Sequence, residues 1–180
     1  MTDTLLPRAW LMRALYLALS AGIVFWQLLP ISTVPPGWAG PELFLALTFA
    51  FAARRPDYLP IALVAVLALG MDLLLQRPPG LWAAITVLGV ETIRNRASAL
   101  RDLTFLSEWA AVTSTLVVMT LTYRIILTVF VVDQAPLGLS LMQLVSTVLV
   151  YPLVALVSHA LLGVRKRVPG DIEPVRGGRI

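Results

Sequence analysis

Apolar residues fall into six runs along the chain, separated by short polar or proline-containing segments. The runs cover about residues 10–30, 41–53, 58–75, 79–93, 103–132 and 139–164. None alternates with the period of two expected of a barrel strand, and crossing a hydrocarbon core as a helix takes about 20 residues. The pattern predicts an all-α integral membrane protein with six transmembrane helices. The second run is short, about 20 Å at the helical rise, and on length alone could be re-entrant. Arg54 and Arg55 follow it directly, however, and a basic pair at the end of a run belongs in the cytoplasm.

The segments between the runs fix the orientation. Six spans with both termini inside put Arg8, Arg13, Arg54, Arg55, Arg94, Arg96, Arg101, Arg165, Lys166, Arg167, Arg176 and Arg179 in the cytoplasm, 12 of the 14 basic residues. Arg77 then lies outside and Arg124 within a span. Five spans would put Arg54 and Arg55 on the wrong side. The first run is read as an uncleaved span, since no small-residue cleavage site follows it. Residues 1–164 then form one domain, and the basic stretch 165–180 is expected to be a disordered cytoplasmic tail. Arg94, Asn95, Arg96, Arg101 and Asp102 read as a polar link between the fourth and fifth spans.

Composition sharpens this reading. The chain is 58% hydrophobic and 13% charged, with a mean hydropathy of +0.85. About a quarter of a soluble domain is charged. There is no cysteine and one histidine, His159, which removes thiol chemistry and leaves no ordinary zinc site. No phosphate-cradling glycine loop or GxSxG elbow is present, so neither a cofactor, a metal nor enzymatic activity is expected. The net charge of +4 reports orientation in a membrane and is no signal for nucleic acid.

The third and fourth runs meet across Gln76-Arg77-Pro78-Pro79-Gly80, a turn so tight that the two helices must form an antiparallel hairpin. Asp72 lies about one turn from its tip, where a carboxylate is costly unless it meets protein, water or a cation. Arg124 lies at a similar outer depth in the fifth run, on a face with Thr113, Thr120 and Thr128, and Glu42 opens the second run. An Arg124–Asp72 or Arg124–Glu42 ion pair would lock three helices together. The same residues could instead hold an anionic ligand or a partner helix, or Arg124 could snorkel to the surface. Ala14, Ala18 and Gly22 form a small-residue seam on the first span, suited to packing within the protein or to a second helix. Trp26, Trp38, Trp82 and Tyr123 read as interfacial anchors. Glu91, Glu108, Arg94 and Arg101 read as interfacial pairs or solvated groups.

The pattern Gly70-Met71-Asp72-Leu73-Leu74, then Pro79-Gly80-Leu81, together with the size and the six runs, resembles the MreD family of bacterial rod shape-determining membrane proteins. Arg77 and the doubled proline are a mild departure from the family's turn. The resemblance implies a non-enzymatic subunit of the cell-elongation machinery in the bacterial inner membrane. Its implied partners are MreC directly, RodA–PBP2 and MreB as members of the same peptidoglycan-synthesising machinery, and membrane lipid. It further implies a fold like the substrate-binding subunits of energy-coupling-factor transporters, with Asp72, Arg124, Glu42, Gly70, Pro79 and Gly80 as packing or partner-facing candidates. The alternative is a vitamin-type small-molecule binding subunit of such a transporter, which would need a cavity with several convergent polar groups.

Overall fold

In the computed structural model, residues 5–29, 37–101 and 104–162 are described. They form α1 (Leu5–Leu28), α2 (Leu43–Arg54), a 3-10 turn (Pro56–Tyr58), α3 (Ile61–Leu74), α4 (Leu81–Arg101), α5 (Phe105–Val129) and α6 (Leu137–Leu162). The fold is all-helical. Three helices, α1, α5 and α6, are long and apolar enough to cross a membrane, while α2 and α3 are shorter apolar helices. Much of the loop 31–40 and the tail 165–180 lie outside the described residues.

The short second run is the centre of the molecule. Every residue of α2 from Phe44 to Arg54 is buried. It packs between α4 and α6, with α5 bridging those two and α3 hairpinned on α4. Phe44, Phe49 and Phe51 fill the space around it, so its 12 residues, about 18 Å long, meet protein on all sides. A helix enclosed in this way need not match the thickness of a bilayer. Gly89 permits the close approach of α4: a Cβ there would lie 2.5 Å from Met119 Sδ and 3.3 Å from Phe49 Cζ.

The polarity runs inside out. Asp72 and Glu108 are fully buried, whereas Val118, Leu121, Ile125 and Val129 on α5, and Leu141, Val145, Leu149 and Leu153 on α6, are exposed. Stripes of large apolar side chains at helical spacing, set around buried charge, are consistent with a surface that faces lipid.

Two departures from the expected elements have physical causes. First, α4 runs through Arg94 and Arg96 to Arg101, so most of the expected polar link is helix. Val90, Ile93 and Ala97 are buried at spacings of three and four, which keeps one apolar face on the bundle while Glu91 and Arg94 pair at 3.4 Å on the other. Second, the small-residue seam of α1 points away from the bundle: Ala14, Ala18 and Gly22 are exposed. The packing face is Tyr16 and Ser20, with Tyr16 sharing a 2.9 Å hydrogen bond with Thr48 at the middle of α2.

Pro152 sits inside α6 and cannot donate to the carbonyl of Val148. Trp109 of α5 supplies the missing donor, Nε1 to Val148 O at 3.0 Å. In a low-water setting such replacement is what lets proline persist in a helix.

Candidate functional site

The hairpin tip is built around Asp72. Its Oδ2 accepts hydrogen bonds from the backbone N–H groups of Gly80 at 3.0 Å and Ala83 at 3.1 Å. These groups open α4, so a side chain on α3 caps the N-terminus of the next helix, the place a serine or aspartate ordinarily fills from within. The carbonyl of Asp72 meanwhile accepts from Arg77 N–H at 2.9 Å, closing the C-terminus of α3 in a Schellman-type turn with Gln76 in the left-handed region (φ 54°). One residue therefore terminates one helix and starts the other. Pro79 and Gly80 are the central residues of a turn closed by Leu81 N–H to Pro78 O. The φ of 85° at Gly80 is the type II signature that favours glycine there.

The expected pairing of Arg124 with Asp72 or Glu42 does not form. Arg124 Nη1 donates to Ala135 O at 3.1 Å and Ser140 Oγ at 2.7 Å, and no carboxylate lies within ion-pair distance of it among the described residues. Glu42 pairs instead with Arg77, from the hairpin turn, at 3.2 Å. The same Oε2 accepts from Gln143 Nε2 at 2.8 Å, and Glu42 N–H donates to Thr147 Oγ1 at 2.8 Å. The turn is well placed to reach Glu42 because α3 runs antiparallel to α2 and ends beside its start.

Glu42, Arg77 and Arg124 converge on a cavity of about 230 Å³ at the end of the bundle where α2, α4 and α6 begin and α3 and α5 finish. Trp82 and Tyr123 form part of its wall, ring to ring at 5.0 Å and 73°, with the Arg77 guanidinium over Trp82 at 5.6 Å. These two aromatics, expected as interfacial anchors, line the cavity, whereas Trp26 and Trp38 are exposed. Thr120 and Arg124 line the cavity, but the Thr120 and Thr128 hydroxyls donate to carbonyls of their own helix, as their spacing allows, and Thr128 Oγ1 also accepts from Gln134 Nε2 at 2.9 Å.

Two buried polar atoms of cavity residues have no hydrogen-bond partner among the described residues: Glu42 Oε1, an acceptor, and Trp82 Nε1, a donor. Glu42 is only 4% exposed. An unmet buried polar group costs about 1–3 kcal/mol, so two on one cavity are a feature to be explained.

A second polar cluster closes the opposite end of α2. Arg54 Nε donates to Glu108 Oε1 at 3.0 Å, Tyr151 OH donates to the same oxygen at 2.9 Å, and Arg54 Nη1 donates to Ala155 O at 2.6 Å. Of the two expectations for Glu108, an interfacial pair or a solvated group, solvation is ruled out: it forms a buried ion pair with Arg54, at 0% and 9% exposure. The signal that could have revealed both clusters was on α6, where Ser140, Gln143 and Thr147 follow at three and four, with Tyr151 four further on.

Among the remaining candidates, Gly70 lies in α3 where a Cβ would meet nothing within 4 Å, and Pro79 is exposed on the turn. No group of three or more metal-ligating side chains occurs among the described residues. The chain matches no family model, no curated protein and no solved structure.

Proposed function

We propose that this chain is a non-enzymatic scaffold of the bacterial inner membrane, of the MreD type, whose six helices thread the bilayer with both termini in the cytoplasm. In this reading it binds MreC through a membrane helix and belongs, with RodA–PBP2 and MreB, to the machinery that organises peptidoglycan synthesis during cell elongation. The observation that carries the reading is the hairpin. Asp72, Pro79 and Gly80, on which the resemblance rests, act together as one device that caps two helices at a single point. The charge distribution supports the orientation, and the exposed apolar faces of α5 and α6 offer ample surface for a partner helix or lipid.

Recovery of the tagged protein in mild detergent from a rod-shaped bacterium, followed by mass spectrometry of proteins and small molecules, tests the proposal. MreC together with the wall synthase, and no transporter ATPase, is the expected result. Transporter ATPases, or a tightly held vitamin, would overturn it in favour of the second reading, a vitamin-type binding subunit. The cavity with its convergent polar groups favours that second reading. Its size weighs against it, because 230 Å³ lies below the roughly 300–1,000 Å³ of ordinary small-molecule pockets.

A further inference from the structure

We propose that the cavity beside Glu42 binds a small zwitterion: a group with a hydrogen-bond-donating ammonium at one end and an oxyanion at the other. The chemistry follows from what the cavity residues leave unmet. Glu42 Oε2 is engaged by Arg77 and Gln143, while Oε1 is buried with no partner among the described residues, so a donor would satisfy it once the carboxylate turns toward the cavity. Arg124 lines the same cavity as a cation with no carboxylate in ion-pair distance among the described residues; its side-chain hydrogen bonds there, to Ala135 O and Ser140 Oγ, both come from Nη1 and go to neutral acceptors. A guanidinium has five N–H donors in a fixed fork suited to a carboxylate or phosphate. The indole N–H of Trp82 is a further buried donor with no acceptor among the described residues.

The charged residues on the wall are Glu42, Arg77, Arg124 and Asp133, two of each sign, with Glu42 and Arg77 paired, so an anion alone or a cation alone meets a like charge as well as an unlike one. A neutral apolar molecule would meet none of Glu42, Arg124 and Trp82. A zwitterion of headgroup or amino-acid size meets all of them, and a cavity of about 230 Å³ is suited to that size. Two sources share this chemistry, the headgroup of an ethanolamine phospholipid and a free amino acid or phosphoethanolamine. The inference goes beyond the scaffold reading and stands without it, since failure to recover MreC would leave ligand retention unchanged.

The test uses the full chain reconstituted in lipid nanodiscs. Phosphatidylcholine is the discriminating control, because its quaternary ammonium has the charge but no N–H to give Glu42. If the lipid is the source, native mass spectrometry shows phosphatidylethanolamine retained about tenfold over phosphatidylcholine, an energy difference of about 1.4 kcal/mol. Arg124→Gln lowers retention of both lipids, whose shared phosphate it would hold, and Arg124→Lys, which keeps the charge, largely preserves it. If the source is soluble, phosphoethanolamine or glycine raises the melting temperature in phosphatidylcholine nanodiscs, and Arg124→Gln abolishes the rise. Equal retention of the two lipids with no shift from either soluble zwitterion overturns the proposal, as does retention or a melting shift that Arg124→Gln leaves intact. A partner peptide found seated against Glu42 would also overturn it. Should Arg124→Gln fail to fold, the lipid comparison and the soluble zwitterions on the unmodified chain decide the matter.

Discussion

Asp72→Ala removes the acceptor that holds two backbone donors at 3.0 and 3.1 Å from a fully buried position. Each N–H left without a partner away from water costs about 1–3 kcal/mol. Loss of an exposed helix cap alone costs about 0.5–2 kcal/mol. Allowing the first turn of α4 to relax toward other acceptors, the expected loss is about 2–5 kcal/mol. Asp72→Asn keeps an oxygen at the same place, so both bonds can form, but as neutral bonds of roughly half the strength; about 1–2 kcal/mol should be lost. Unfolding in mixed micelles with increasing denaturing detergent, followed by circular dichroism, measures both differences. The predicted order is wild type, then Asn, then Ala. An alanine variant within about 0.5 kcal/mol of wild type would refute the cap as the reason for this carboxylate. If such a stable variant also failed to recover MreC, Asp72 would have to be read as a contact for the partner.

Four further outcomes follow from the same geometry. Val131 is a β-branched residue at φ 52°, in a Schellman turn closed by Val131 N–H to Thr128 O and Val132 N–H to Leu127 O; Val131→Gly should stabilise the protein by about 1 kcal/mol in the same unfolding assay. Trp109→Phe strands the Val148 carbonyl and should cost about 1–2 kcal/mol, but much less in a Pro152→Ala background, where α6 can supply its own donor; equal costs in both backgrounds would remove the argument. Gly89→Ala should destabilise by about 1–3 kcal/mol, because Met119 and Phe49 must both move, and a melting temperature at or above wild type would contradict this packing. Gly70→Leu should leave folding intact, since a Cβ meets nothing within 4 Å, yet reduce MreC recovery if the partner lies against α3; unchanged recovery places the partner elsewhere.

The helical class was legible because apolar runs without alternation allow little else, and five of the six helices start and finish within about five residues of the runs that announced them. α4 was the exception. Three arginines at its far end, Arg94, Arg96 and Arg101, looked like a loop, and only the three-and-four spacing of Val90, Ile93 and Ala97 showed that the helix continued. The hairpin and the unusual position of Asp72 were also visible, though not the reason for it: a cap on the next helix depends on how the turn folds back, and no spacing along the chain encodes that. Partner choice among charges was the least legible. Depth in the bilayer ranks which ions can meet, and the sequence puts Arg124, Asp72 and Glu42 at an expected common depth, but the pairing depends on rotation about each helix axis. Arg77, placed in the outer turn and given no partner by the sequence, is the residue that reaches Glu42.

The two ends of α2 use the same chemistry to different ends. At one, Arg54 and Glu108 form an ion pair reinforced by the Tyr151 hydroxyl and the Ala155 carbonyl, with Phe105 stacked on Tyr151 at 6.5 Å. Truncating one partner of so enclosed a pair strands the other charge, which costs about 3–5 kcal/mol, so this cluster acts as a lock on α2, α5 and α6. At the other end, Glu42 and Arg77 form a pair of similar geometry that opens on a cavity, with an acceptor and a donor left over and a second arginine whose hydrogen bonds go only to neutral oxygens. The first end is closed by packed side chains, whereas the second borders a cavity with a further arginine on its wall. The contrast makes sense if the closed end fixes the helix and the open end is left incomplete so that a ligand can complete it. A core helix only 12 residues long makes this possible, because the glutamate at its start lies inside the span of the longer helices α5 and α6.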